Sequence, residues 1–294
     1  MKEGYVIESK RIDKIDAIKD GWRIFKDNFE LMFALFILMI VVSAALQIIA
    51  ARPFESYSLS EVDPPASVML FTFIVLLSEG ALRIIFQMGF SKILLKFVDS
   101  REAIFNDVLS CYHLFFKYFF GSVLYGLIIA LGSLLVVIGA VAAAVILNLP
   151  SFQNSMVLLE QVSADPQRAL IFIILIMTFG MALATPAIIW SIKYGFFALV
   201  IVDKELGPID ALKESAFITD GAKWELAIFS GVLLGFNLLG LIAFGIGILI
   251  TIPVSIISHV VVYRRLSEQS ENFRLKDVAI EDEISDNTAP DTII

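Results

Sequence analysis

The sequence predicts an all-α membrane protein, a polytopic bundle of six transmembrane helices with amphipathic elbow helices at one interface. Three observations predict it. Hydrophobic residues are 58% of the 294 and charged residues 18%, where soluble domains carry about 25% charge. Apolar runs recur at lengths that cross a hydrocarbon core of about 30 Å. Lys and Arg gather beside every second connection between those runs, the asymmetry that orients membrane proteins.

The spans follow in order. Residues 31–51 are apolar apart from Ser43 and Gln47. Residues 67–88 form a second span, interrupted by Glu79 and Arg83. Residues 119–147 form a third, with a Phe-rich start in the interface. Residues 169–189 form a fourth, with Pro186 expected to kink it. The stretch from Lys223 to Arg264 is too long for one crossing at about 1.5 Å per residue. Gly240, Gly245 and Gly247 mark its turn, dividing it into spans at 224–241 and 247–266.

Charge sets the expected topology. Seven Lys and Arg precede the first span. Four more lie in each of the second-to-third connection, the fourth-to-fifth connection and the segment after span six. The opposite side holds Arg52 and Arg168, with Arg83 inside a span. Both termini are therefore expected in the cytoplasm of a bacterial cell, in a multi-pass protein of the inner membrane. The formal charge of −8 belongs mostly to the last 28 residues, which hold eight acids and two bases. Residues 267–294 therefore read as an acidic, disordered cytoplasmic tail.

Interfacial helices are expected at about 13–28, 100–117 and 207–220. In the first, Ile15, Ile18, Trp22, Phe25 and Phe29 form one apolar stripe, with Lys19, Arg23 and Lys26 on other faces. Such a helix lies in the membrane plane, anchored by its aromatic residues. Residues 15–20 (IDAIKD) match residues 209–214 (IDALKE), and Glu30-Leu31 matches Glu225-Leu226 after a one-residue shift. A weaker copy runs from Asp107 to Phe120. The chain thus reads as an internal repeat of elbow helix, outward span and return span. Trp190, Tyr194 and Trp224 complete the aromatic anchors.

Four polar residues inside spans are the candidates for function. Glu79 and Arg83 stand i, i+4 in the favourable order for an ion pair. Counted from Ser67, Glu79 lies roughly 18 Å deep, where an ionisable group is costly. His259, one turn from Ser255, could relay protons or meet a headgroup. Asn237, like Gln47, suits a hydrogen bond between helices. Gly231 and Gly235 form a GxxxG pair, and Gly132 and Gly139 another small face, for close helix packing.

Exclusions are as informative. One cysteine and two histidines provide no disulfide and no zinc-ligand cluster. The chain has no Walker loop, no G-x-S-x-G and no H-E-x-x-H. No catalytic residue, metal or cofactor is expected. The absence of a basic domain argues against nucleic acid as a partner. Membrane lipids are the expected partner, with a protein partner or a homo-oligomer also open.

Ile201-Val202-Asp203, Pro208 to Ser215, Thr219-Asp220-Gly221 and the stretch from Ile246 through Pro253 to Tyr263 carry a resemblance. They resemble an uncharacterised bacterial integral membrane protein family, similar to the membrane domain attached to some glycerophosphodiester phosphodiesterases. The match is best over about 186–266. Pro186 is followed by Ala187, where that family often has Pro-Gly. The resemblance implies a six-helix bundle in a bacterial cytoplasmic membrane and transfers no catalytic residue. The function expected from the sequence is a non-enzymatic envelope scaffold or lipid- or protein-interaction protein. The alternative is a transporter or channel-like carrier with Glu79 and Arg83 in a polar path.

Overall fold

The computed structural model describes residues 10–58, 64–146, 185–242 and 247–288, together with 167, 170 and 245. The described residues contain α-helices, short 3₁₀ turns and no strands. The helices are α1 (Lys14–Asp27), α2 (Phe29–Ser58), α3 (Ala66–Val98), α4 (Phe115–Ile146), α5 (Phe197–Lys204), α6 (Pro208–Ile218), α7 (Lys223–Ile242) and α8 (Ile248–Thr288). Residues 185–194 form a further helical segment before α5. Six segments are long and apolar enough to cross a membrane: Phe29–Arg52, Ala66–Val98, Phe105–Leu134, Thr185–Lys204, Lys223–Ile242 and Ile248–Lys276. The protein is a multi-pass membrane protein by that measure.

The chain divides into two compact units, residues 1–121 with 196–294, and residues 122–195. In the smaller unit, Gly132 lies so close to the segment 185–194 that a Cβ there would stand 3.0 Å from the Ala187 Cα. This is the close packing expected of Gly132. The side-chain surroundings of Gly139 and span residues 169 and 171–184, with Arg168, lie outside the described residues.

In the larger unit the buried core sits at the Lys/Arg-rich end. Of α3, the buried residues begin at Met88 and run to Phe97. They meet Val108, Cys111, Leu114 and Tyr118, the buried run Phe196 to Val202, and one face of α8 from Val254 to Ser270. Leu70, Leu77, Leu234 and Leu239, on the other halves of their helices, stay exposed, as expected of side chains that meet lipid rather than protein. α1 begins at an N-cap, with Asp13 Oδ1 accepting from the Asp16 amide at 3.0 Å. It packs on α8 through Ala17 and Gly21, where a Cβ at Gly21 would meet Ser258 Oγ at 2.3 Å.

Several expectations change. Residues 100–117 form two 3₁₀ turns, Phe105–Val108 and Tyr112–Leu114, leading into α4, rather than one amphipathic helix. Asp107 explains the first turn: it accepts the Ile104 amide at 2.9 Å and two bonds from Lys96 Nζ at 2.7 Å. A local side-chain bond of this kind competes with helix. α8 runs on to Thr288, so residues 267–288, expected as part of a disordered tail, are helical. Ser270 is buried and accepts from Lys10 Nζ at 2.7 Å, which ties the segment down. α3 extends ten residues past Met88 to Val98, because its Lys-bearing end is buried against the core. The α7–α8 turn is where the glycines placed it: Gly245 has φ +74°, and Gly240 abuts Thr251 and Gly247.

Candidate functional site

The chemistry of the larger unit gathers in two places. The first is at the Lys/Arg-rich end. Asp203, at the end of α5, takes Arg264 Nη1 at 2.9 Å, Arg264 Nη2 at 3.1 Å and the Tyr263 hydroxyl at 2.8 Å. Arg264 also donates to Asp99 at the end of α3, at 2.9 Å. Its neighbour Arg265 reaches Asp16 and Asp20 on α1, at 3.0 and 2.7 Å. α8 thereby clamps α1, α3 and α5 together. Beside the clamp lies a polar cavity of about 720 Å³, lined by Asp20, Arg23, Asp27, Arg101, Arg265 and Glu268 among others. Acids and bases are balanced there, so the cavity has no strong preference for either sign of ligand.

A second set of ties holds α6. Glu214 accepts from Lys204 at 3.0 Å and Arg274 at 2.9 Å, and Lys204 also reaches Glu271 at 2.9 Å. Burial pushes the Glu214 carboxyl up, but the Arg274 and Lys204 bonds outweigh it and hold it below the ordinary carboxylate range. Burial pulls the Lys10 ammonium down, against the raising fields of Asp220 and Glu214. The matched segments 15–20 and 209–214 share their burial: Ala17 and Ala211 are fully buried, and Ile15 and Ile209 exposed. Their closing acids, Asp20 and Glu214, each meet an arginine of α8.

The second place is between α2 and α3. The two helices run antiparallel, and three contacts set their register: Gln47 Nε2 donates to Glu79 Oε1 at 3.3 Å, Thr72 to the Ala50 carbonyl at 3.4 Å, and Phe36 meets Phe90 edge-on at 5.5 Å. Glu79 is thus level with Gln47, five residues or about 8 Å from Arg52. The helical pair runs on past Arg52: α2 continues to Ser58 and α3 starts at Ala66. The expected Glu79–Arg83 ion pair does not form among the described residues. Glu79 turns to Gln47 and Arg83 is exposed. Both line a cavity of about 220 Å³, floored by Phe105, Val108 and Leu109 of the first 3₁₀ turn.

The remaining candidates separate. Asn237 joins α7 to α8, donating to Ser255 Oγ at 3.0 Å. His259 stacks on Phe196 at 4.7 Å and does not reach Arg264, which the two aspartates hold. Gly231 and Gly235 have nothing within 4 Å of a built Cβ, so they do not pack α7 against another described helix. GxxxG records an opportunity for close approach without naming the partner, and this pair finds none among the described helices. Gly89, by contrast, takes a close approach: its Cβ would lie 2.0 Å from the Val108 carbonyl oxygen. Among the anchors Phe25 is buried, Trp22 is 41% exposed and Trp224 84%. Lys193 stands 5.2 Å over the Tyr194 ring, beside a half-buried Trp190. No group of three or more His, Cys, Asp or Glu able to hold a metal occurs among the described residues.

A family model described as "Protein of unknown function (DUF975)" matches residues 20–270. The chain belongs to that family. The matched region of this DUF975 member takes in the Arg264–Asp203 clamp, the α2–α3 cavity, the first five candidate spans and the sixth as far as residue 270. That description draws no link to glycerophosphodiester phosphodiesterases. No curated protein and no solved structure matches the chain.

Asp99, Asp203 and Arg264 were not legible as a cluster. Asp203 and Tyr263 stood in the family-like motifs, and Arg264 counted toward orientation. Their meeting, across 61 residues for Asp203 and 165 for Asp99, needed the structure.

Proposed function

We propose that the protein is a non-enzymatic lipid-interaction platform of a bacterial cytoplasmic membrane, holding anionic headgroups at its Lys/Arg-rich face through α1. The observation that carries this is how α1 is mounted. Its small residues Ala17 and Gly21 face α8, while Ile15 and Trp22 stay exposed. Lys26 stands 5.8 Å over the Trp22 ring, and the Arg23 side chain is 71% exposed. A helix with outward aromatic and basic side chains suits the headgroup layer of an anionic leaflet.

The same proposal places both termini in the cytoplasm, on the strength of the Lys and Arg distribution. It reads α1 and α6 as copies of one unit, on their matched burial and paired arginines. A relationship to the membrane domain of glycerophosphodiester phosphodiesterases belongs to it as well, resting on the pattern between 201 and 263.

The test uses the full chain in nanodiscs of mixed zwitterionic and anionic phospholipid. The wild type should enrich anionic lipid in its retained shell, and Trp22→Glu and Arg23→Gln should lose that enrichment while the protein stays folded. Undiminished enrichment in both variants overturns the reading. Capture of a protein instead of lipid by the same face would redirect it. The carrier alternative draws on the cavity at Glu79 and Arg83, whose wall is otherwise apolar apart from Ser43; that lining suits a hydrocarbon chain better than a water-filled path.

A further inference from the structure

We infer that the cleft between α2 and α3 is a binding site for one phospholipid with a primary-ammonium headgroup, entering from the leaflet on the Arg52 side. The inference does not depend on the α1 reading, since it uses a different face and different residues.

Polarity along the cleft carries it. At one end stand Glu79 and Arg83, one helical turn apart, level with Gln47 and Ser43 by the register of the two helices. At the other end lie Leu38, Phe86 and the 3₁₀-turn residues Phe105 and Leu109. Gly89 lets that turn close against α3 and form the floor. The polar end faces the Arg52 flank and the apolar end runs toward the Lys/Arg-rich end of the helix pair, the direction in which a lipid of the Arg52-side leaflet points its tail.

Charge decides the headgroup. Arg83 is exposed, lies inside a candidate span, and has no acceptor among the described residues. A guanidinium at such depth seeks an anion, and a phosphate accepts its planar donors in pairs. Glu79 accepts one bond from Gln47, at 3.3 Å, which leaves carboxylate capacity unused. A headgroup offering phosphate to Arg83 and ammonium N–H to Glu79 satisfies both. A lipid with phosphate and no ammonium leaves the carboxylate unanswered. The volume of about 220 Å³ is below that of drug-sized pockets, roughly 300–1,000 Å³, so the cleft holds part of one acyl chain, and Leu82 and Val42 open its side to the bilayer.

The experiment uses full-length protein, delipidated in detergent, with phosphatidylethanolamine or phosphatidylglycerol added singly. Retained lipid is counted by native mass spectrometry. Wild type should favour phosphatidylethanolamine roughly tenfold, the size of one charge-assisted hydrogen bond, and Glu79→Gln should remove that preference. The site itself is read on Ser43→Cys: bound phosphatidylethanolamine should slow maleimide labelling at that position, and phosphatidylglycerol should not. Equal retention of the two lipids by wild type overturns the inference. So does labelling of Ser43→Cys that phosphatidylethanolamine leaves unchanged, a result that does not bear on α1.

Discussion

Arg264 forks onto Asp203, with its two terminal nitrogens on the two carboxylate oxygens at 2.9 and 3.1 Å. Their side chains are 21% and 17% exposed. Removing one partner from such a pair leaves a partly buried charge unanswered and costs about 3 kcal/mol. Asp203→Asn and Arg264→Gln should each lower the thermal unfolding midpoint in detergent. The double variant should lose less than the two single losses together, because the Asp203–Arg264 pair is then counted once, while Asp99 loses its partner whenever Arg264 is replaced. Strict additivity would dissociate the two residues.

Two glycine classes should behave oppositely. Gly89→Ala drives a methyl against the Val108 backbone, and overpacking of that kind costs roughly 1–3 kcal/mol. Gly231→Ala and Gly235→Ala meet open space, so they should hold stability level or raise it by up to about 1 kcal/mol each through helix propensity. Thermal melts of the three variants in one detergent separate the cases.

These glycines show how far the sequence reached and where it stopped. The count of six spans was legible because apolar length is written residue by residue, although the fourth, read at 169–189, meets a described segment at Thr185–Lys204; the α7–α8 turn was legible too, where Gly245 supplies positive φ. A glycine's neighbour is not so written: Gly89 sits in an apolar run with no mark that a 3₁₀ turn will fold onto it. The same limit applied to Glu79 and Arg83. Their spacing fitted an ion pair, but Gln47 across the helix pair offered Glu79 another partner. The acidic composition of 267–294 spoke for disorder. Buried Ser270 and the Arg274–Glu214 contact, both set by long-range packing, give its first turns a place to bind.

Acid should loosen α6. Glu214 has an ordinary carboxylate value of 4.5 and is held below it in the folded chain. Its contribution to stability is therefore complete above 4.5 and lost as pH falls through the lower, folded value. Melting curves taken from pH 7 downward should fall off in that acid window, and Glu214→Gln should flatten the fall. An unchanged acid limb in the variant would assign the dependence to other carboxylates.

The continuation of α8 should matter to folding. Ending the chain after Leu266 removes the Ser270, Glu271 and Arg274 partners of Lys10, Lys204 and Glu214. The truncated protein should melt earlier than the full chain, and Lys10→Met should reproduce part of the loss. Equal melting of truncated and full-length protein would reduce these contacts to surface decoration.

Asn237 and Ser255 should couple weakly. Hydrogen bonds between membrane helices average about 0.6 kcal/mol, with the strongest near 1.7. A double-mutant cycle of Asn237→Ala with Ser255→Ala should return a value in that range, and a null result would assign the joining of α7 and α8 to their packing, including Gly240 on Thr251 and Gly247.

α1 rests on α8, joined by Gly21 to Ser258 and by Asp20 to Arg265. The ribosome makes α1 long before α8. The earlier helix must wait, its small-residue seat empty, until every intervening crossing has been threaded into the bilayer. A nascent chain stalled before residue 248 would display an unsheltered Ala17–Gly21 face to any quality-control protease at the membrane surface.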